Sequence, residues 1–297
     1  MDDKQLSTAL VFKWTTEYNL HGHYPTASES SLVFNGTTVD SEIRTKGDVR
    51  VYNGHTKNVH TEGEFLSIQS GHDDVYAKKK IYMSSCEADA IRGDENATLL
   101  GVDVDNVEIL GDLIAKGCDN MQDVFCAKTA NMFQCNKVTK IESHTLIADL
   151  VTGKRVKCFK GTFDSCKFKM VEATRCDGMV GCRIKNTFVT SEPVLFLNET
   201  NIARLIIQYK VGEEDPNQKP DSPPRPPRKR GRKQEVENPA SRLVPTLPVV
   251  YIQTDCDIPF IKFEGSPGKV VVCIPEDESI RNKTDIVVNG TFEYVKV

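Results

Sequence analysis

The chain has 297 residues, of which 27% are charged and 39% are hydrophobic, and its formal net charge is −4. This length suits two domains, or two domains with a small third module, and it can bury a core without disulfide staples. The sequence does not open on a basic stretch followed by an apolar run, and its longest apolar runs are too short to span a bilayer. We therefore expect an intracellular protein that is neither secreted nor inserted in a membrane.

Charge is unevenly distributed along the chain. Residues 1–120 carry 11 Lys and Arg against 20 Asp and Glu, whereas residues 136–210 carry 13 against 7. The basic segment predicts an anionic partner, and the acidic half is a candidate contact surface for replication proteins. The predicted domains are an acidic β-rich domain over 1–120, a basic β-barrel domain over 121–211, a disordered linker over 212–243 and a C-terminal β module over 244–297.

Short alternating or apolar runs, separated by turn residues, predict strands in the first 120 residues. Asn35-Gly36 and Asn53-Gly54 predict hairpin turns, because both residue types tolerate positive φ. Val107, Leu110 and Ile114 recur at helical spacing and predict one helix over 106–116. The predicted strands cover residues 10–14, 32–34, 48–52, 65–68 and 75–83.

The strand pattern is denser between Lys137 and Val211, where one short helix is predicted to start at Asn198. Several short strands at regular spacing are typical of a small antiparallel barrel. The sequence therefore predicts a mainly β protein built from small antiparallel barrels of the oligonucleotide-binding type, with a β-sandwich as the alternative. No internal repeat stands out. The predicted strands cover residues 137–141, 145–151, 155–159, 167–171, 180–189, 194–197 and 206–211.

Residues 212–243 are rich in proline and charge and almost free of bulky apolar side chains, which predicts a disordered linker. Residues 225–233 contain six cations in nine positions. This cluster is typical of a nuclear-import signal, and Arg230-Gly231-Arg232 also resembles an AT-hook with Lys233 where that motif has proline. Import or auxiliary DNA contact is assigned to Arg228, Lys229, Arg230, Arg232 and Lys233. Further strands are predicted over 249–253, 259–263, 269–274 and 285–288, the last pairing with 291–295 through Asn289-Gly290.

Alternation in the middle segment separates cations from apolar side chains. Lysine and arginine fall on one side of each run, whereas Val156, Cys158, Cys166, Phe168 and Ile184 fall on the other, with Met170, Val180 and Cys182. A basic sheet face with aromatic residues can bind single strands without reading their sequence, although an ordinary solvated face has the same pattern. The predicted nucleic-acid-binding residues are Lys157, Phe159, Lys167, Lys169, Arg183 and Lys185, with Trp14 as a second stacking platform or a core residue.

Neither catalysis nor metal binding is indicated. The ten cysteines include no Cys-x-x-Cys pair, so a zinc site is not supported, and we expect most of them to be reduced. No Gly-x-Ser-x-Gly elbow, phosphate-binding loop or dinucleotide-binding motif occurs. Asp103 and Asp105 could share one strand face, as in a nuclease, but nothing nearby completes such a site. We predict no catalytic residue, no metal and no cofactor.

The buried cysteines, the basic and aromatic strands between Lys157 and Lys169, and the import-like cluster together resemble the baculovirus-type late expression factors that coat single-stranded DNA. The resemblance covers residues 137–233. It implies replication-fork DNA as ligand, tandem oligonucleotide-binding barrels and self-association. The chain departs from it in the position of the basic cluster, which is expected near the N-terminus.

From these observations we predict a single-stranded-DNA-binding protein of a virus, acting in DNA replication or late expression in the host nucleus, with RNA as an alternative ligand. A β-sandwich interaction protein, or a virion structural protein whose linker only directs it to the nucleus, is the alternative. An unrecognised nuclease is the third interpretation.

Overall fold

The computed structural model describes residues 9–13, 29, 31–192, 194–208, 249–252, 256–274 and 284–296. All regular secondary structure in these ranges is β-strand. The strands are β1 (Ala9–Lys13), β2 (Ser31–Asn35), β3 (Thr38–Val39), β4 (Ile43–Thr45), β5 (Val49–Tyr52), β6 (His55–Thr61), β7 (Phe65–Ile68), β8 (Gly71–Ala77), β9 (Ile81–Ser84), β10 (Glu87–Gly93), β11 (Ala97–Leu100), β12 (Asp103–Ile109), β13 (Leu113–Lys116), β14 (Asp123–Phe133), β15 (Val138–Asp149), β16 (Gly153–Asp164), β17 (Lys167–Val180), β18 (Arg183–Thr190), β19 (Val194–Asn198), β20 (Asn201–Ile202), β21 (Leu205–Gln208), β22 (Val249–Ile252), β23 (Phe260–Ile274) and β24 (Asp285–Lys296).

These strands wind into a parallel β-solenoid of about 11 turns. The short strands β5, β7, β9, β11 and β13 stack on one another in parallel, and the long strands β6, β8, β10 and β12 form a second parallel stack. Val49 pairs with Phe65, which is 16 residues later, and Phe65 pairs with Ile81 after another 16. One turn of the solenoid is therefore 16 residues, comprising a short strand, a corner and a long strand.

Each corner that follows a short strand is made by a residue with positive φ. Glycine accepts this conformation without strain, whereas other residues accept it at a cost. The next residue is often Ser, Thr or Cys, and its hydroxyl or thiol donates to the carbonyl two residues earlier, as in Ser70 to Ile68, Cys86 to Ser84 and Thr200 to Asn198. The positive-φ residues at successive corners are Gly36, Asn53, Gln69, Ser85, Gly101, Gly117, Gln134, Leu150, Ser165 and Gly181.

The core lies between the two stacks and is filled from both sides. Short strands contribute Phe65 and Ile81, long strands contribute Val75 and Ile91, and all four are almost fully buried. Alternate residues point outward and form two surfaces, which we call the short-strand face and the long-strand face. Successive turns are about 4.8 Å apart, so side chains at equivalent positions form rows along the solenoid axis.

The prediction of antiparallel barrels of the oligonucleotide-binding type is wrong, and so is the alternative of a β-sandwich, because the described pairings between strands are parallel. Alternation identifies strands but not their partners. Asn53 has φ of 49°, as the turn signal requires, yet the chain passes there from β5 in one stack to β6 in the other. The dipeptide marks a corner, not a hairpin.

Both predicted helices are wrong. Residues 106–116 lie in β12, a corner and β13, where Val107 and Ile109 are buried. Leu110 and Ile114, which the helical spacing placed on the apolar face, are 47% and 43% exposed. A spacing of three and four residues also arises when two strands alternate on either side of a corner. The second helix, predicted at Asn198, is replaced by β19 and β20.

The parallel pairing continues along the described chain. It passes residue 120 through β12, β14 and β15, and β22 pairs with β19 and β23. The predicted pairing through Asn289-Gly290 is wrong, because β24 runs through this dipeptide and pairs in parallel with β23. The predicted linker over 212–243 and its basic cluster lie outside the described residues.

Candidate nucleic-acid interface

The structure places the five predicted lysine and arginine residues of the middle segment on the long-strand face. Lys157, Lys167, Lys169, Arg183 and Lys185 are all exposed. Lys167 and Arg183 are directly paired neighbours on β17 and β18, so their side chains leave the sheet side by side. The alternation in the sequence therefore brought these cations to one surface.

The opposite side of the same strands supplies the core. Val156, Cys158 and Phe168 are buried, as the alternation predicted. Two inward predictions fail: Met170 is only half-buried and Val180 is 41% exposed. A register shift between Phe168 and Met170 and the corner after Val180 interrupt the simple alternation.

Only some of the cations on this face have carboxylate partners. The ammonium Nζ of Lys157 lies 4.0 Å from Glu142 Oε1, and Lys160 Nζ lies 2.8 Å from Asp177 Oδ2. Six others have no carboxylate within 4.0 Å among the described residues. We call this group the basic patch; it comprises Lys154, Arg155, Lys167, Lys169, Arg183 and Lys185.

Sequence analysis missed Lys154 and Arg155. Both are exposed on β16, and Arg155 pairs with Lys140 on one side and Met170 on the other. Their membership depends on the parallel register, which brings β16, β17 and β18 together. The available signal was the Lys154-Arg155 dipeptide at the start of a predicted strand.

Phe159 is enclosed by its neighbours. The His144 ring is stacked on it at a centroid distance of 5.0 Å and an angle of 11°, and Arg175 Cζ lies 5.5 Å from the Phe159 centroid. A base could stack on this ring only after one of these side chains moved aside. Trp14, the second predicted platform, lies outside the described residues.

The earlier turns present carboxylates on the same long-strand face. The amides of Asn120 and Gln122 donate to Asp103 Oδ2 at 2.8 Å and to Asp105 Oδ1 at 2.9 Å. Within the described ranges, no group of three or more His, Cys, Asp and Glu side chains could hold a metal ion. The outward carboxylates are Asp73, Asp74, Glu87, Asp89, Asp103, Asp105, Glu108, Asp119 and Asp123.

The ten cysteines are free and buried. Cys158, Cys166 and Cys182 lie in the core, as the alternation predicted. Burial raises the pKa of the Cys158 thiol to about 12. A hydrogen bond with Cys182, followed by burial, raises the pKa of Cys166. These thiols are protonated at neutral pH and pack as small hydrophobic side chains.

In the part of the chain that the structure describes, no helix is long and apolar enough to cross a membrane. No protein-family model, curated protein or solved structure matches the sequence or the fold. The fold and the surface define the class: a parallel β-solenoid with a cationic patch on one sheet face.

Proposed function

We propose that this protein binds single-stranded nucleic acid, DNA in the first place, through the basic patch. The observation that carries the proposal is the set of six exposed cations on three successive turns that lack carboxylate partners among the described residues. Unpaired surface cations at this density attract a polyanion, because each phosphate contact releases condensed counterions.

The geometry favours contacts to the sugar-phosphate backbone. Neighbouring turns place cations about 4.8 Å apart, and alternate residues along a strand place them about 6.6 Å apart. A sheet face of this kind does not enter a groove, so it positions the strand without reading bases. A flexible single strand can follow such a face over several phosphates, whereas a rigid duplex would touch it along one line.

The proposed cellular setting is DNA replication or late expression of a virus in the host nucleus. Its support is the cluster Arg228–Lys233 and the resemblance described above. Neither depends on the barrel fold, which the structure replaces with a solenoid.

The test is charge reversal at Lys167, Lys169 and Arg183, each to Glu. Labelled single and double strands of equal length are titrated at several salt concentrations. Each lost phosphate contact should reduce the log–log salt slope of single-strand affinity by about 0.7, so the triple variant should lose about 2. The matched control reverses three exposed lysines elsewhere, Lys78, Lys79 and Lys80, and should keep the wild-type slope.

Equal affinity and equal slope for the wild type and the patch variant, at matched melting temperatures, would refute the proposal. Phe159→Ala should change affinity far less than the charge reversals, because both faces of that ring are already covered.

A virion structural or protein-interaction role is favoured by a different surface. Tyr82, Ile114 and Ile147 are each more than a third exposed on the short-strand face, where they form part of an apolar row. Failure of the wild-type protein to bind either strand in the titration would favour this second function.

A further inference from the structure

The long-strand face is divided along the solenoid axis into two blocks of opposite charge. Four successive turns, over residues 71–125, form an acidic block that consists of the nine outward carboxylates named above. The next four turns, over residues 137–190, form a basic block that consists of the basic patch with Lys140 and Lys157. The boundary lies between β14 and β15, where Asp123 pairs with Lys140.

The two blocks are complementary turn by turn if a second copy lies antiparallel on this face. A two-fold axis at the boundary brings the turn of Asp103, Asp105 and Glu108 onto the turn of Lys154, Arg155 and Lys157. The same axis brings the next turn of each block together, Glu87 and Asp89 facing Lys167 and Lys169. The outermost turns follow: Asp73 and Asp74 face Arg183 and Lys185.

The charges that interrupt each block also fit this arrangement. Arg92 is a cation within the acidic block, 3.6 Å from Glu108. Glu172 is a carboxylate within the basic block, paired in register with Lys157. The two-fold axis places the turn of Arg92 opposite the turn of Glu172.

The size of the face suits a specific contact. Eight turns at about 4.8 Å and strands of about seven residues at about 3.3 Å cover roughly 900 Å². A standard protein interface buries about 800 Å² on each partner. Because the match is isologous, it closes on itself after two copies.

We infer that the long-strand face binds a second copy of this chain in an antiparallel, closed dimer held by its acidic and basic blocks. A parallel arrangement without displacement would oppose like charges and is disfavoured. The dimer covers the basic patch, so the acidic block of one copy occupies the place that a nucleic acid would take on the other. This inference rests on the charge pattern and does not require the proposed function.

The experiment is a charge swap between two variants of the full chain. The first variant carries Glu87→Lys, Asp89→Lys and Asp103→Lys, and the second carries Lys154→Glu, Lys167→Glu and Lys169→Glu. Each variant alone opposes like charges and should dimerise at least about tenfold more weakly than the wild type. An equimolar mixture restores opposite charges at both contacts and should form a heterodimer.

Analytical ultracentrifugation at low salt and at about 0.5 M salt, where the screening length falls to about 4 Å, gives the readout. The wild type should be a dimer at low salt and dissociate at high salt. A monomeric wild type at low salt, an undiminished dimer of either variant, a mixture that does not recombine, or a species larger than a dimer would each overturn the inference.

Titration of single-stranded DNA separates this inference from the proposed function. The first variant should bind DNA at least as well as the wild type, because its basic patch is intact. Loss of DNA binding in the second variant with a monomeric wild type would refute the dimer alone. A successful charge swap without any DNA binding would refute the nucleic-acid proposal alone.

Discussion

His72 shows what the interior of the solenoid accepts from a polar side chain. It lies buried on β8, with Nδ1 2.6 Å from Thr56 Oγ1 and Nε2 2.7 Å from Ser67 Oγ. A neutral imidazole has one donor and one acceptor, and two hydroxyl groups can satisfy both. Burial, with a smaller contribution from His55, lowers the pKa of His72 to about 4. The neutral ring therefore belongs to the folded state.

The low pKa of His72 predicts acid sensitivity with a defined sign. Its folded pKa lies below the unfolded value of 6.5, so the unfolded chain binds the proton first as the pH falls. The contribution is fully present above pH 6.5 and is lost between 6.5 and about 4, where it amounts to about 3 kcal/mol. Urea unfolding at several pH values should show this loss in the wild type.

The variant His72→Gln removes the titrating group and should flatten the pH dependence in that range. The outward His60 provides the matched control, since His60→Gln should leave the dependence of the wild type unchanged. Identical pH profiles for wild type and His72→Gln would contradict the assignment.

At the scale of the element, the corner is where local sequence and fold are most closely linked. Gly101 and Gly117 occupy two corners with φ near 60°, and Leu150 and Ser165 occupy two others with φ near 50°. This mixture of residue types hid the repeat, because only Asn-Gly and Gly are strong turn signals in a sequence. The strands themselves were largely predictable, since each alternates regularly between corners.

Gly101 provides a test of the corner that involves no steric contact. An added Cβ at Gly101 would meet nothing within 4 Å, yet φ is +59°. Gly101→Ala should therefore lower the free energy of unfolding by about 1 kcal/mol through the backbone alone. A Cβ at Gly178 also meets nothing, without a positive φ, so Gly178→Ala should be neutral or stabilising by less than about 1 kcal/mol. Thermal unfolding of both variants gives the comparison, and equal losses would contradict the explanation.

The candidate site was predictable in part for the same reason. Alternation within β17 and β18 is a local pattern, so it placed Lys167, Lys169 and Arg183 outward correctly. The grouping of Lys154 with them, and the division of the face into acidic and basic blocks, depend on which turn stacks on which. That information appears only once the period of the repeat is known.

At the scale of the whole molecule, the 16-residue period organises both the core and the surface. Val49, Phe65, Ile81, Ala97 and Leu113 follow one another at this period and are all buried in the short-strand stack. The residues differ in size, which weakens the repeat in the sequence while preserving its apolar character. In a solenoid each turn contacts only its neighbours, so stability is close to a sum over turns and interfaces.

This organisation predicts that a whole turn can be removed but half a turn cannot. Deletion of residues 95–110 joins Asp94 to Gly111 and lets Leu113 stack on Ile81 and Gly117 on Ser85, with short strands still following long ones. The shortened protein should retain its β-sheet circular dichroism and unfold cooperatively, with a lower melting temperature because one interface is lost. Deletion of residues 95–102 removes a short strand and its corner, so that β12 follows β10 directly and two long strands compete for one stack. That protein should lose cooperative unfolding or aggregate, because the inward and outward rows no longer align. Circular dichroism melts and size-exclusion chromatography distinguish the two variants, and similar damage from both deletions would argue against a solenoid with this period.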